Sequence, residues 1–121
     1  MGAKGRAMAF AWAVLLAILP ATAQKTPSAK DLVRQAEIDQ KSNQWEAARD
    51  KLKLAAAQKP KDKKILDLLQ TTETYLADQA AARAITACDQ YQIDKCEKET
   101  ALAASYATTP RVQEAQGRLL A

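Results

Sequence analysis

An all-α fold of antiparallel helical hairpins is predicted by three features of this 121-residue chain. Apolar side chains recur at three- and four-residue steps. Alanine, the strongest helix former, is abundant. Beyond the first few residues the chain has a single glycine, Gly117, and the prolines Pro60 and Pro110 stand where helices are expected to stop.

The N-terminus reads as an export signal. Lys4 and Arg6 precede an apolar run from Ala7 to Leu19, followed by Pro20 and the small residues Ala21-Thr22-Ala23, the three-part layout of a secretory signal. Such a run makes a helix of roughly 20 Å, short of the roughly 30 Å of a bilayer core. Cleavage near Ala23/Gln24 is therefore expected rather than anchoring, with a signal peptide over 1–23, a flexible leader over 24–28 and one helical domain over 29–121. An uncleaved signal would be the only membrane attachment. No cysteine stands near the cleavage site, which disfavours a lipid-anchored form. The expected location is periplasmic or secreted.

Charge narrows the function classes. The chain has eighteen basic and fourteen acidic residues; without Lys4 and Arg6 the balance falls from +4 to +2. Neither that charge nor an exported location suits a nucleic-acid ligand. The charge is uneven, however. Arg49, Lys51, Lys53, Lys59, Lys61, Lys63 and Lys64 face only Asp50 and Asp62, whereas the stretch from Ile65 to Ala121 is acidic. This is either a solvated helix end and loop or a contact patch for an acidic partner or anionic membrane surface. With no histidine, no Gly-rich phosphate loop and no nucleophile elbow, neither an enzyme nor a metal or other cofactor is expected.

In chain order, Ser28 is placed to cap a first helix, with Asp31 in its first turn. Leu32, Val33, Ala36 and Ile38 form its stripe, which ends at Lys41-Ser42-Asn43-Gln44. Trp45, Ala48, Leu52 and Ala55, widened by Ala47 and Ala56, define a second helix that stops before Pro60. Two helices of about fourteen residues with so short a link lie antiparallel. Asp62 caps a third, with a stripe through Ile65, Leu66, Leu69, Thr72 and Leu76. Either this helix breaks near Ala77-Asp78 or it runs on to about Gln90; the alanines that follow favour the unbroken form. A turn is expected at Tyr91 to Asp94, with Asp94 capping a helix from Lys95 to the stop at Thr109-Pro110. A last helix, Arg111 to Leu120, carries Val112, Ala115 and Leu119 on one face.

Cys88 and Cys96 flank that predicted turn and so approach across the neck of a hairpin. A structural disulfide is expected, favoured by an oxidising compartment and a small core. Redox catalysis would prefer a two-residue spacing, and two thiolates without histidine make a poor metal site.

Ala36, the polar turn at Asn43-Gln44, Trp45, Ala48, Leu52, Ala55 and Pro60 resemble one tetratricopeptide repeat: small, aromatic, small, large, small, then a closing proline. Asp39 departs from the aromatic residue expected late in the first helix. The best repeat covers 29–62, and Ala84, Ile93 and Cys96 echo Ala36, Trp45 and Ala48 in a degenerate second repeat at about 79–110, with 111–120 as a capping helix. The resemblance implies a short right-handed solenoid acting as a protein–protein interaction or scaffold module. Its concave groove would be faced by Lys30, Val33, Glu37, Gln40 and Lys41, with Lys64, Asp67, Thr71 and Tyr75 from the next helix. The Lys/Asn set with which some members clamp a C-terminal carboxylate is not reproduced, because Val33 and Glu37 occupy key places. The implied partner is another envelope protein or peptide. The alternative is a structural or accessory subunit of a secretion or pilus assembly acting through helix packing. Two repeats are close to the minimum for a stable array, so self-association is a further expectation.

Overall fold

A computed structural model describes residues 26–121. The expected signal peptide and the first two residues of the leader, 24 and 25, lie outside the described residues. The fold is all-α: α1 (Ala29–Lys41), α2 (Trp45–Gln58), α3 (Lys63–Asp89), α4 (Ile93–Tyr106) and α5 (Pro110–Leu120), with no strand among the described residues. None of these helices is long and apolar enough to cross a membrane.

Helix α1 starts where the Ser28 side chain accepts the Asp31 N–H at 3.3 Å. The Gln58 side chain donates to the Pro27 carbonyl at 2.8 Å, tying the entering chain to the far end of α2. Leu32 and Ala36 of α1 are buried with Ala48, Leu52 and Ala55 of α2. Small residues on both helices let the backbones approach. Asp39, the residue that departs from the repeat pattern, pairs with Lys51 across this hairpin. Ile38, assigned above to the stripe, is 57% exposed, since position 38 has rotated past the edge of the buried face.

The turn between α1 and α2 is a Schellman motif. Asn43 adopts a left-handed φ of 62°, its N–H donates to the Gln40 carbonyl at 3.1 Å, and the Gln44 N–H donates to Asp39 at 2.7 Å. Pro60 keeps the helix from resuming at once. Asp62 then starts α3 by accepting the Ile65 N–H at 3.3 Å.

Helix α3 is unbroken for 27 residues, about 40 Å at 1.5 Å per residue. Its first half buries Ile65 with Ala29 and Leu32 of α1 and Ala55 of α2, and Thr72 beside Gln40 of α1; Leu66, placed in that stripe from sequence, is 42% exposed. Its second half buries Ala77, Ala80, Ala81, Ala84 and Ala87 in one core with Cys96, Ala103, Val112 and Ala115 of α4 and α5. The stretch read as a second repeat is thus the C-terminal half of α3 followed by α4.

The α3–α4 turn reproduces the first 48 positions on, from Asn43 to Tyr91. Tyr91 has φ 61°, its N–H donates to Cys88 at 3.0 Å, and the Gln92 N–H donates to Ala87 at 2.8 Å. The same shift carries buried Ala29, Leu32, Ala36, Ala48, Leu52 and Ala55 onto buried Ala77, Ala80, Ala84, Cys96, Thr100 and Ala103. A shift of 47 carries the Asp62 cap and Ile65 onto the Thr109 cap and Val112. The molecule is therefore two overlapping three-helix units, α1-α2-α3 and α3-α4-α5, that share α3.

Two boundaries differ from the sequence reading. Helix α4 begins at Ile93 after Gln92, with no side-chain cap. Asp94 lies in its first turn instead, because the Schellman turn already fixes where the chain leaves α3. Helix α4 ends at Tyr106, and Thr109-Pro110 starts α5 rather than stopping α4: Thr109 accepts the Val112 N–H at 3.1 Å and donates to Asp78 at 2.7 Å, with Pro110 in the first helical turn.

Candidate partner-binding groove

A groove of about 410 Å³ opens between α1, the α2–α3 corner and the start of α3. Ala29, Val33 and Ile65 give it an apolar floor. Lys30, Arg34 and Glu37 come from one wall, and Lys59, Asp62 and Lys64 from the other. The helical repeat explains the first wall, since positions 30, 33, 34 and 37 fall on one face. The second wall exists because Pro60 turns the chain and the Asp62 cap starts α3 there.

Arg34 pairs with Asp31, and Asp62 is engaged by the Ile65 N–H. Among the described residues no ion pair takes up Lys30, Lys59, Lys61, Lys63 or Lys64. The unneutralised positive charge of unit one is therefore concentrated at this corner.

Of the nine groove residues expected from sequence, Lys30, Val33, Glu37 and Lys64 line the groove. Lys64 also joins Asp67 and Thr71 along a shallower depression on α3. The other three lie elsewhere. Gln40 donates to Thr72 Oγ1 at 2.7 Å and so ties α1 to α3. Lys41 is exposed at the end of α1. Tyr75 stacks on Trp45, with ring centroids 3.9 Å apart and planes at 23°. Lys59, Asp62 and Ile65 belong to the groove but carry local roles in the sequence, as helix stop, cap and core. Only the lysine run signals them.

Where the two units meet, sequence reasoning missed a polar-aromatic cluster. Arg49 donates to Glu73 at 3.0 Å and lies 4.9 Å from the centroid of the Tyr106 ring, whose hydroxyl donates to Glu46 at 3.1 Å. Burial, then the hydrogen bond to Glu46 and its negative charge, raise the Tyr106 pKa above the ordinary tyrosine value, against opposing pulls from Arg49 and Arg83. Sixty residues separate Tyr106 from Glu46, and no periodicity reports such a contact. The cluster joins α2 to α4 across the shared helix.

Cys88 and Cys96 are joined in a disulfide, with Cα atoms 5.1 Å apart, across the α3–α4 turn. Among the described residues no group of three or more histidine, cysteine or acidic side chains is placed to hold a metal ion. Comparison with family models, curated proteins and solved structures gives no match.

Proposed function

We propose that this chain is an exported, periplasmic or secreted, tetratricopeptide-like interaction or scaffold module that holds a peptide or surface segment of another envelope protein. The observation that carries the reading is the α1–α3 groove, with an apolar floor and polar walls, the general form of a recognition site. The antiparallel α1–α2 hairpin, closely packed through alanines, supports the repeat resemblance, and the second hairpin 48 positions on supports repetition. The disulfide supports an oxidising compartment. We assign it no catalysis.

A photo-crosslinking residue at Val33, in the full chain in intact cells, tests the reading. The expected result is one or a few proteins captured from Val33 and not from Leu102, on the outer face of α4. Identical capture at both positions, or none, overturns it. Exposed Ile38, Leu54 and Leu66 favour a second reading, a structural subunit of an envelope assembly that packs through helix faces. Sedimentation that depends on concentration over the micromolar range would select it.

A further inference from the structure

We infer that the α1–α3 groove selects an acidic segment carrying an apolar anchor, an assignment that rests on the interaction-module reading and adds the chemistry of the partner. Val33 and Ile65 lie at the bottom of the groove, where an apolar side chain would lose water. Lys30 and Lys59 face that floor from opposite walls, with Lys64 beside Lys59, and none of the three is neutralised by an ion pair. The lining holds two acids, Glu37 and Asp62, the latter still charged while it accepts the Ile65 N–H, so the three lysines leave a net excess of one positive charge. Lys61 and Lys63 extend the positive field along the corner. An anionic segment is steered to such a corner, and a basic one is repelled.

The recess decides between a peptide and a membrane. A lipid surface is met by apolar groups that project beyond their cations, whereas here the apolar groups lie below the cationic rim. The site therefore fits Asp or Glu residues flanking a leucine- or phenylalanine-sized side chain.

Selection of a random twelve-residue peptide library on the full chain tests the assignment. The expected winners carry Asp or Glu next to an aliphatic or aromatic residue. Their affinity should fall at least tenfold in the double variant Lys59→Glu/Lys64→Glu and fall again as salt is raised. That variant should keep its helical circular dichroism, since both sites are exposed and a glutamate suits the first turn of α3. Val33→Ser should weaken the same peptides without changing their charge preference. Winners that are basic or show no charge preference, absence of any enrichment, or indifference to the charge reversal would overturn the assignment. So would binding to phosphatidylglycerol vesicles that Lys59→Glu/Lys64→Glu abolishes and Val33→Ser leaves intact. Crosslinking at Val33 separates the two levels. Capture of a partner without acidic selection removes the charge assignment alone, and failure of both removes the interaction-module reading as well.

Discussion

The two units have the same frame and different fillings. Unit one places Leu32, Leu52, Ile65 and Leu68 where unit two has Ala80, Thr100, Val112 and Ala115. The smaller side chains let α4 lie along the second half of α3, but they remove less apolar surface from water. Unit two adds a covalent brace, Cys88–Cys96, at the positions that correspond to Gln40 and Ala48. Thr100 satisfies its hydroxyl within its own helix by donating to the Cys96 carbonyl at 2.7 Å. The shared frame thus comes from the turns and caps, and the fillings set how each unit is stabilised.

The largest expected effect is a test of that division. Leu52→Ala should cost about 2–5 kcal/mol in urea unfolding, because it opens a cavity beneath a fully buried side chain. Thr100→Ala at the corresponding place should cost only about 1 kcal/mol. Equal losses would break the comparison.

Removing the brace comes next. Cys88→Ala/Cys96→Ala, or reduction of the native chain, should cost about 2–3 kcal/mol for a loop of this size. Amide exchange should rise first in α4 and α5, with α1 and α2 less affected. Uniform loss of protection would show that the units do not differ in this respect.

Moving the brace sharpens the equivalence. Gln40→Cys/Ala48→Cys should form a disulfide spontaneously, seen as the absence of titratable thiols. It should stabilise unit one by about 2 kcal/mol, less what is lost with the Gln40–Thr72 hydrogen bond. Persistent free thiols would mean that the two turns differ in geometry.

The smallest effect concerns the turn residue. Tyr91 holds a left-handed φ of 61° while 88% exposed, a conformation that costs a bulky residue about 1 kcal/mol or more. Asn43 occupies the corresponding place in unit one, where it also accepts a hydrogen bond from Trp45 Nε1 at 3.1 Å. Tyr91→Asn should therefore raise stability by about 1 kcal/mol, readable as a higher denaturation midpoint.

Local signals were the legible part of this fold. Ser28 and Asp62 cap the helices that sequence assigned to them, because a cap needs only its own side chain and an N–H three residues on. The start of α4 was misread for the same reason. Asp94 has the right chemistry, but the left-handed residue that fixes the turn is a tyrosine, which carries no turn signal. The groove was legible where helical spacing alone places its residues, as for Lys30, Val33 and Glu37. It was not legible where a distant residue competes for the side chain: Thr72 takes Gln40 and Trp45 takes Tyr75, each about thirty residues away in sequence.

Sharing α3 between the units makes the architecture open to splicing. Helix α5 stands in the place of the first half of α3, with Leu120 corresponding to Glu73. Grafting the sequence from Thr74 onward after Leu120 would let α5 run on as α3 does, and each graft would lengthen the array by one 47-residue module in unbroken register. The seam would fall inside a helix, so the added module would arrive with its orientation already fixed.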